Sequence, residues 1–414
     1  MKIRLLCLAL AFCLCQAACS SQAVDPTTLG TTQATTATTA AATTEPTTEP
    51  TTEATETANY NVLQSTEPIR NIVLIIGDGM GLQHINAGQL YDGKTYAFTT
   101  WPMVRVNTQA LDANGELSTD FPDSTAAATA MATGVLTANE FVGRSIDGTD
   151  LQTILDVASA MGKSTGMVTT DFLFNGTPAG YTAHANSRND RIPILETQLD
   201  SGVNLLCGAV NESCTIMAQQ IREKGYAYCE DFTKLSDTFH SDKAYWQLDL
   251  WSNEATLGLP EVSLEALRYL DQDENGFVLV IEQAHIDKYC HHQQFQDLCI
   301  AVSDLNKTVE TVMNWLGDRT DTAVLVTADH ETASLQVSDK AGKYENTLVA
   351  AANGASQDIS YTFRTPNHTI TNVVLYTYGF TADFTKSDLY AKKALKNTGI
   401  YYLMEEILTT GQGE

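Results

Sequence analysis

Three acidic signatures stand where hydrophobic runs end: Gly77-Asp78-Gly79 after NIVLII, Glu282 after FVLVI, and Asp329-His330 after TAVLVTA. In an open parallel sheet, ligands sit in the crevice beyond the carboxyl ends of the strands, so carboxylates distant in sequence converge there. Like charges repel unless a cation lies among them, and the three signatures together predict one metal site. A denser cluster, IEQAHIDKYCHH, adds Asp287 and His291, four residues apart and therefore on one face of a helix. Alone, an i,i+4 Asp and His pair is more often a surface hydrogen bond than a ligand pair. Glu282 five residues upstream and the Asp329-His330 pair give it more weight. Imidazole with carboxylate suits zinc, and carboxylate with hydroxyl suits magnesium.

A hydroxyl with a special position completes the set. Asp123-Ser124-Thr125 opens the Ala-rich run AAATAMATG, which is strongly helical, so Ser124 falls at a helix N-terminus. Unpaired N–H groups there favour an anion such as phosphate. The plain reading is an N-cap and nothing more. Beside two divalent cations, however, such a serine can become a nucleophile.

Strand-like and helical runs alternate: NIVLIIG with DSTAAATAMATG, LQTILDVASAMG with STGMVTT, VSLEALRYLDQ with GFVLVIE, and FQDLCIAVSDLNKTVETVMNWL with TAVLVTA. That order predicts an α/β domain over residues 61–414, with a mostly parallel central sheet flanked by helices on both faces. The stretch from Val337 to Phe363 has no clean period and reads as an excursion from the sheet, without assigned function.

What precedes this domain cannot build a core. Residues 1–19 have basic Lys2 and Arg4, an apolar run and small residues before Cys19, the layout of a secretory signal. Small residues before Cys19 and Ser20-Ser21 after it resemble a bacterial lipobox, although Gln16 stands where Leu is usual. The expectation is a lipid-anchored, cell-surface protein outside the cell. Residues 20–60 collapse to Thr, Ala, Glu and Pro and predict a disordered tether.

The 414 residues carry a net charge of −26 and a pI near 4.5, which excludes nucleic acid as a partner, since that needs a basic face. An anionic small substrate is compatible, because bound divalent cations reverse the local potential. Beyond Cys19 there are Cys207, Cys214, Cys229, Cys290 and Cys299, and Cys207 with Cys214 is the expected disulfide.

GDGMG, DSTAAATAMATG, TPAGYTAHANSR, IEQAHIDKYCHH, VTADHET and NHT, in this order, resemble the alkaline phosphatases across residues 66 to 405. The resemblance implies hydrolysis of small phosphomonoesters with two zinc ions and one magnesium. It assigns Asp287, His291 and His368 to the first zinc, Asp78, Asp329 and His330 to the second, and Asp78, Thr177 and Glu282 to magnesium. Ser124 matches the nucleophile that becomes phosphorylated, and Arg188 the arginine whose planar fork pairs with two phosphate oxygens. Members are commonly homodimers, which carries over as an expectation. One departure concerns charge. Many bacterial relatives have Asp where this chain has Asn175, and Lys288 follows the bacterial choice, so an unpaired cation near the phosphate is expected, with tight product binding. It also leaves the third metal's identity open.

His184 and His285 read as core or supporting histidines, and His292 and Cys290 as pointing off the ligand face. A phosphodiesterase of the same superfamily and a metal-binding surface lipoprotein without catalysis are the rival readings. A sulfatase is excluded by STAAA, which lacks the modifiable C/S-x-P/A-x-R context.

Overall fold

Strand β1 (Asn71–Gly77, NIVLIIG) is buried at every residue, as is β7 (Phe277–Gln283), and such continuous apolar runs belong to strands covered on both faces. The computed structural model describes residues 68–250, 257–352, 355–386 and 390–410. The signal, Cys19 and the Thr-rich tether all lie outside the described residues.

The remaining labelled strands are β2 (Met103–Asn107), β3 (Ser164–Thr169), β4 (Leu205–Ala209), β5 (Ala227–Cys229), β6 (Ala244–Leu248) and β8 (Thr322–Thr327). With three later strands they form one sheet in the order Tyr390–Ala391, Ala394–Lys396, β2, Val373–Tyr378, β8, β1, β7, β3, β4, β6, β5. From β8 to β5 every neighbouring pair is parallel, and Val373–Tyr378 runs antiparallel to β8 and β2.

Among the described residues, ten helices surround it: α1 (Leu82–Asp92), α2 (Ser124–Thr133), α3 (Ile154–Ala160), α4 (Gly176–Thr182), α5 (Arg191–Asp200), α6 (Glu212–Glu223), α7 (Leu259–Leu270), α8 (His285–His291), α9 (Phe295–Leu316) and α10 (Thr398–Thr410). They fall into two packed groups. Helices α1, α7 and α8 pack on the long α9, while α3, α4 and α10 pack on α2. Strand β7 touches α3 from one group and α7 and α9 from the other, so helices cover both faces of the sheet as expected.

Helix α2 is buried along its whole length, and its alanines let α4 approach closely. At the crossing, a Cβ on Gly180 would lie 2.8 Å from the Ala128 Cβ, so the contact requires glycine there.

The stretch Val337 to Phe363 does leave the main sheet, and its described residues build strands of their own. Gln336–Ser338, Asn346–Ala352 and Ala355–Thr362 make a separate antiparallel sheet. Its Tyr361 ring stacks on Phe295 of α9 with centroids 3.8 Å apart, the packing that fixes this short sheet to the body.

The expected Cys207–Cys214 disulfide is not formed. Both are buried free thiols. Cys207 is in the buried strand β4, and the Cys214 sulfur on α6 instead meets the Tyr245 hydroxyl at 3.1 Å. Among the described residues, no helix is long and apolar enough to cross a membrane.

Candidate active site

Register brings the acids together. Ile76 of β1 is paired with both Glu282 of β7 and Thr327 of β8, so Asp78 and Asp329, each two residues past its strand's register point, leave the sheet on the same edge as Glu282. Asp78 is buried with its N–H bonded to the Gln283 carbonyl. The Gly79 N–H then donates to Asp329 Oδ1 at 3.0 Å. Gly79 has φ +71°, and a Cβ there would sit 2.6 Å from Thr332 Oγ1 and 2.9 Å from Asp287 Oδ1. The turn after β1 therefore needs glycine both for its left-handed backbone and for the room it leaves to the acids.

Two groups of ligand-type atoms gather here, each within 4.8 Å: Asp287 with His291 and His368, and Asp78 with Asp329 and His330. In the first group His291 Nε2 lies 3.2 Å from Asp287 Oδ2 and 3.1 Å from His368 Nε2. The i,i+4 pair on α8 thus does share a face. His368 reaches it from the short strand His368–Thr369, paired with Glu331–Thr332 directly after Asp329-His330. In the second group His330 Nε2 lies 3.2 Å from Asp329 Oδ2 and 3.5 Å from Asp78 Oδ1. The His330 and His368 rings stack with centroids 3.6 Å apart, so the two groups adjoin.

Each histidine has its other nitrogen tied back, which orients its Nε2. His291 Nδ1–H donates to the Pro366 carbonyl at 2.5 Å and His368 Nδ1–H to the Pro122 carbonyl at 2.9 Å. A carbonyl can only accept, so Nε2 keeps the lone pair that a metal needs. Thr332 Oγ1 donates to Asp287 Oδ1 at 2.5 Å and so receives His330 Nδ1–H at 3.3 Å.

The electrostatics favour a cation. Burial and then the neighbouring carboxylates push Asp78 well above its ordinary range. Burial lifts Asp329 to about 8 and, with the Asp171 charge, Glu282 to about 7. Burial opposes ionisation of Asp287 too, but its bond with His291 and the neighbouring imidazoles of His330 and His368 outweigh that and hold it low. Burial, then the His368 charge, keeps His330 neutral. Asp78 Oδ1 and Asp329 Oδ2 are buried acceptors without a hydrogen-bond donor. Such orphans are costly, and a divalent cation between carboxylate and imidazole removes the cost, so the residues present fit the two zinc ions.

A third oxygen-rich cluster adjoins them. Glu282 accepts from Thr169 of the neighbouring strand, in the register that pairs Thr169 with Glu282. Thr177 Oγ1 is buried and close enough to Glu282 to lower its pKa, yet makes no hydrogen bond of good geometry. Oxygen donors of this kind fit magnesium.

Ser124 is the first residue of α2, and its Oγ lies 3.3 Å from His330 Nε2. Asp123 is the N-cap, accepting from the Ala126 N–H at 2.8 Å, but that does not exhaust it: Oδ2 accepts from Arg188 Nη1 at 3.1 Å. One carboxylate thus starts the helix and holds the arginine. Ser124, Arg188, Asp287, Lys288, His291 and His368 line one cleft of about 690 Å³. All ten expected site residues lie in these clusters or on this cleft.

Among the residues set aside, His184 Nε2 bonds the Leu151 carbonyl, and Cys290 is buried outside the ligand groups. His285 and His292 line the cleft but belong to neither ligand group. The expectation that Lys288 is unpaired is overturned: its Nζ lies 2.7 Å from Asp171 Oδ2. Asp171, Thr169, Thr332 and the second task of Asp123 were not read from the sequence. Only Asp171 carried a signal, as a further acid just past a strand end.

A family model for alkaline phosphatase matches residues 69–205 and 215–398. Alkaline phosphatase 4 of Bacillus subtilis is 27% identical over 299 residues, covering 66% of this chain and 64% of that protein. The Escherichia coli enzyme is 27% identical over 346 residues, covering 67% of this chain and 74% of its own length. The chain thus spans slightly under two thirds of Bacillus subtilis alkaline phosphatases 4 and 3, at 64% and 63%. The structure of alkaline phosphatase from the Antarctic bacterium TAB5 superposes with TM-score 0.71 at 21% identity, covering 83% of this chain and 98% of that one, which shows a shared fold. With matched motifs, fold and clustered ligands in agreement, the chain belongs to the alkaline phosphatase family.

Proposed function

We propose that this protein hydrolyses phosphate monoesters in two covalent steps through Ser124, using two zinc ions and one magnesium ion. The observation that carries the reading is the Ser124 hydroxyl 3.3 Å from His330 Nε2, with two carboxylate and imidazole groups and Arg188 on the same cleft. Bound cations would supply Lewis acidity, lowering the pKa of the attacking hydroxyl and stabilising negative charge on the leaving oxygen. A TAB5 alkaline phosphatase variant holds Mg in its M3 site, which supports assigning magnesium to Asp78, Thr177 and Glu282.

Ser124 Oγ attacks phosphorus in line and its proton passes to solvent, while the bond to the ester oxygen breaks and that oxygen takes up a proton from solvent to depart as the alcohol. Water then attacks phosphorus from the side opposite Ser124 Oγ, the P–Oγ bond breaks, Ser124 Oγ regains a proton given up by the water, and inorganic phosphate is released. Arg188 pairs with two non-bridging oxygens in both steps, and Asp123 fixes its guanidinium beforehand, so less order is lost on binding. The helix α2 N-terminus adds its dipole to the same charge.

The assay is hydrolysis of p-nitrophenyl phosphate against its bis ester at alkaline pH, with and without chelator, followed by acid trapping of a phosphoserine. Monoester preference, chelator sensitivity and loss of the trapped species in Ser124→Ala support the proposal. Diester preference would turn it toward a phosphodiesterase, and no hydrolysis at all toward a metal-binding surface protein.

The Cys19 lipobox and the Thr-rich tether support a further reading: the enzyme works outside the cell, anchored by lipid. Fatty-acid labelling lost in Cys19→Ala, with release from the membrane fraction, tests it. A homodimer follows from the family's habit, and light scattering in solution checks it.

A further inference from the structure

Lys288 follows the ligand Asp287 on α8 and lines the cleft beside Ser124 and Arg188. Its ammonium meets Asp171 Oδ2 at 2.7 Å, with the two side chains 27% and 4% exposed. Asp171 follows β3 closely and is itself immobilised. Its N–H donates to Thr169 Oγ1 at 2.9 Å, its Oδ1 accepts from the Phe172 N–H at 2.7 Å, and its carbonyl accepts from the Ala209 N–H at 2.7 Å. The same Thr169 hydroxyl donates to Glu282. A continuous hydrogen-bonded path therefore runs from the Lys288 counter-ion to a carboxylate of the third cation cluster. Position 175, by contrast, holds a neutral Asn that opens α4 without a side-chain cap bond, two residues before Thr177.

We propose that Asp171 is a positioning residue: its carboxylate fixes the Lys288 ammonium at the cleft wall and supplies the counter-charge that Asn175 does not. This rests on the phosphatase reading above. Asp171 limits how much positive charge Lys288 presents to a phosphate in the cleft. It also keeps that ammonium from being drawn to Asp78 and Glu282, whose charges act on it as well. Losing one buried negative charge should therefore favour an anion and disfavour a cation nearby.

The test is calorimetry on zinc-loaded protein, titrating inorganic phosphate and, separately, Mg²⁺. Asp171→Asn keeps an oxygen for the Phe172 N–H, and it is expected to tighten phosphate binding roughly three- to tenfold while weakening Mg²⁺. A merely structural loss would weaken both. Because Asp171 acts through Lys288, the tightening should vanish in a Lys288→Met background. Asn175→Asp alone should change phosphate affinity by less than about twofold, since the counter-charge is already in place.

Unchanged phosphate and Mg²⁺ affinities in Asp171→Asn overturn the proposal, and so does a tightening that persists in Lys288→Met. Should Asp171→Asn not fold, Asn175→Asp decides: a phosphate affinity about tenfold weaker overturns it. Wild-type protein that neither hydrolyses p-nitrophenyl phosphate nor binds phosphate would sink the phosphatase reading instead. The Mg²⁺ titration needs neither turnover nor phosphate, and an unchanged Mg²⁺ affinity in Asp171→Asn would still overturn the proposal.

Discussion

Asp123 shows how one side chain serves both the fold and the chemistry. Its Oδ1 caps α2 and its Oδ2 holds Arg188 and the Glu140 N–H. Asp123→Ala removes a cap contributing about 1 kcal/mol and frees the guanidinium proposed above to pair with phosphate. The expected result is a modest fall in melting temperature with a much larger rise in KM, read from thermal unfolding and steady-state kinetics on one preparation. A fall in stability with KM unchanged would reduce Asp123 to a cap. His368 allows a second test at this scale. It is supplied from a separate strand, so His368→Ala should lower zinc content by about one ion per chain while leaving the Asp78, Asp329 and His330 group loaded. Metal analysis by mass spectrometry checks it.

Elements position these residues through a few tight contacts. The turn from β1 into α1 depends on Gly79, whose positive φ and lack of Cβ leave room for Asp287 and Thr332. Gly79→Ala places a methyl group into the Asp287 carboxylate in a backbone region that alanine disfavours. We expect a stability loss on the order of 1–3 kcal/mol and at least a tenfold weaker zinc affinity, measured by competition with a chromogenic chelator. Helix α2 meets α4 in the same fashion, through Gly180 against Ala128. Ser124 and Thr177 sit at the starts of those two helices, so the crossing that buries the alanines also sets the Ser124 hydroxyl beside the oxygen-rich cluster of Thr177 and Glu282.

Over the whole molecule, the concentration of buried acid makes metal and fold interdependent. Without cations, Glu282 and Asp329 titrate near 7 and 8, far above their unfolded values, because burial penalises their charge. A folded pKa raised above the unfolded one gives stability that is present at low pH and lost as pH rises through the folded value. Metal-free protein should therefore be less stable at pH 9 than at pH 6. Zinc should remove that dependence, adding about 2.7 kcal/mol at a hundredfold excess over its Kd. Calorimetric scans with and without chelator at the two pH values test this. A chelated protein equally stable at both would show that the cluster is not strained by its own charge.

The sequence by itself determined most of the chemistry and its carrier. Uninterrupted apolar runs ending in Asp or Glu specify buried parallel strands with acids at one edge, and the alternating helices specify what covers them. An i,i+4 Asp and His pair can also be read along the chain, because helical geometry is local. The tertiary structure alone decided which partners meet. Lys288 looked uncompensated because Asp171 lies over a hundred positions away, yet strand β3 beside β7 brings it within 2.7 Å. Cys207 and Cys214, seven residues apart, do not bond, since their elements point them into different packing. Pairing of that kind follows from sheet order and register, which depend on the whole chain burying its apolar surface at once and leave no mark on any short stretch of sequence.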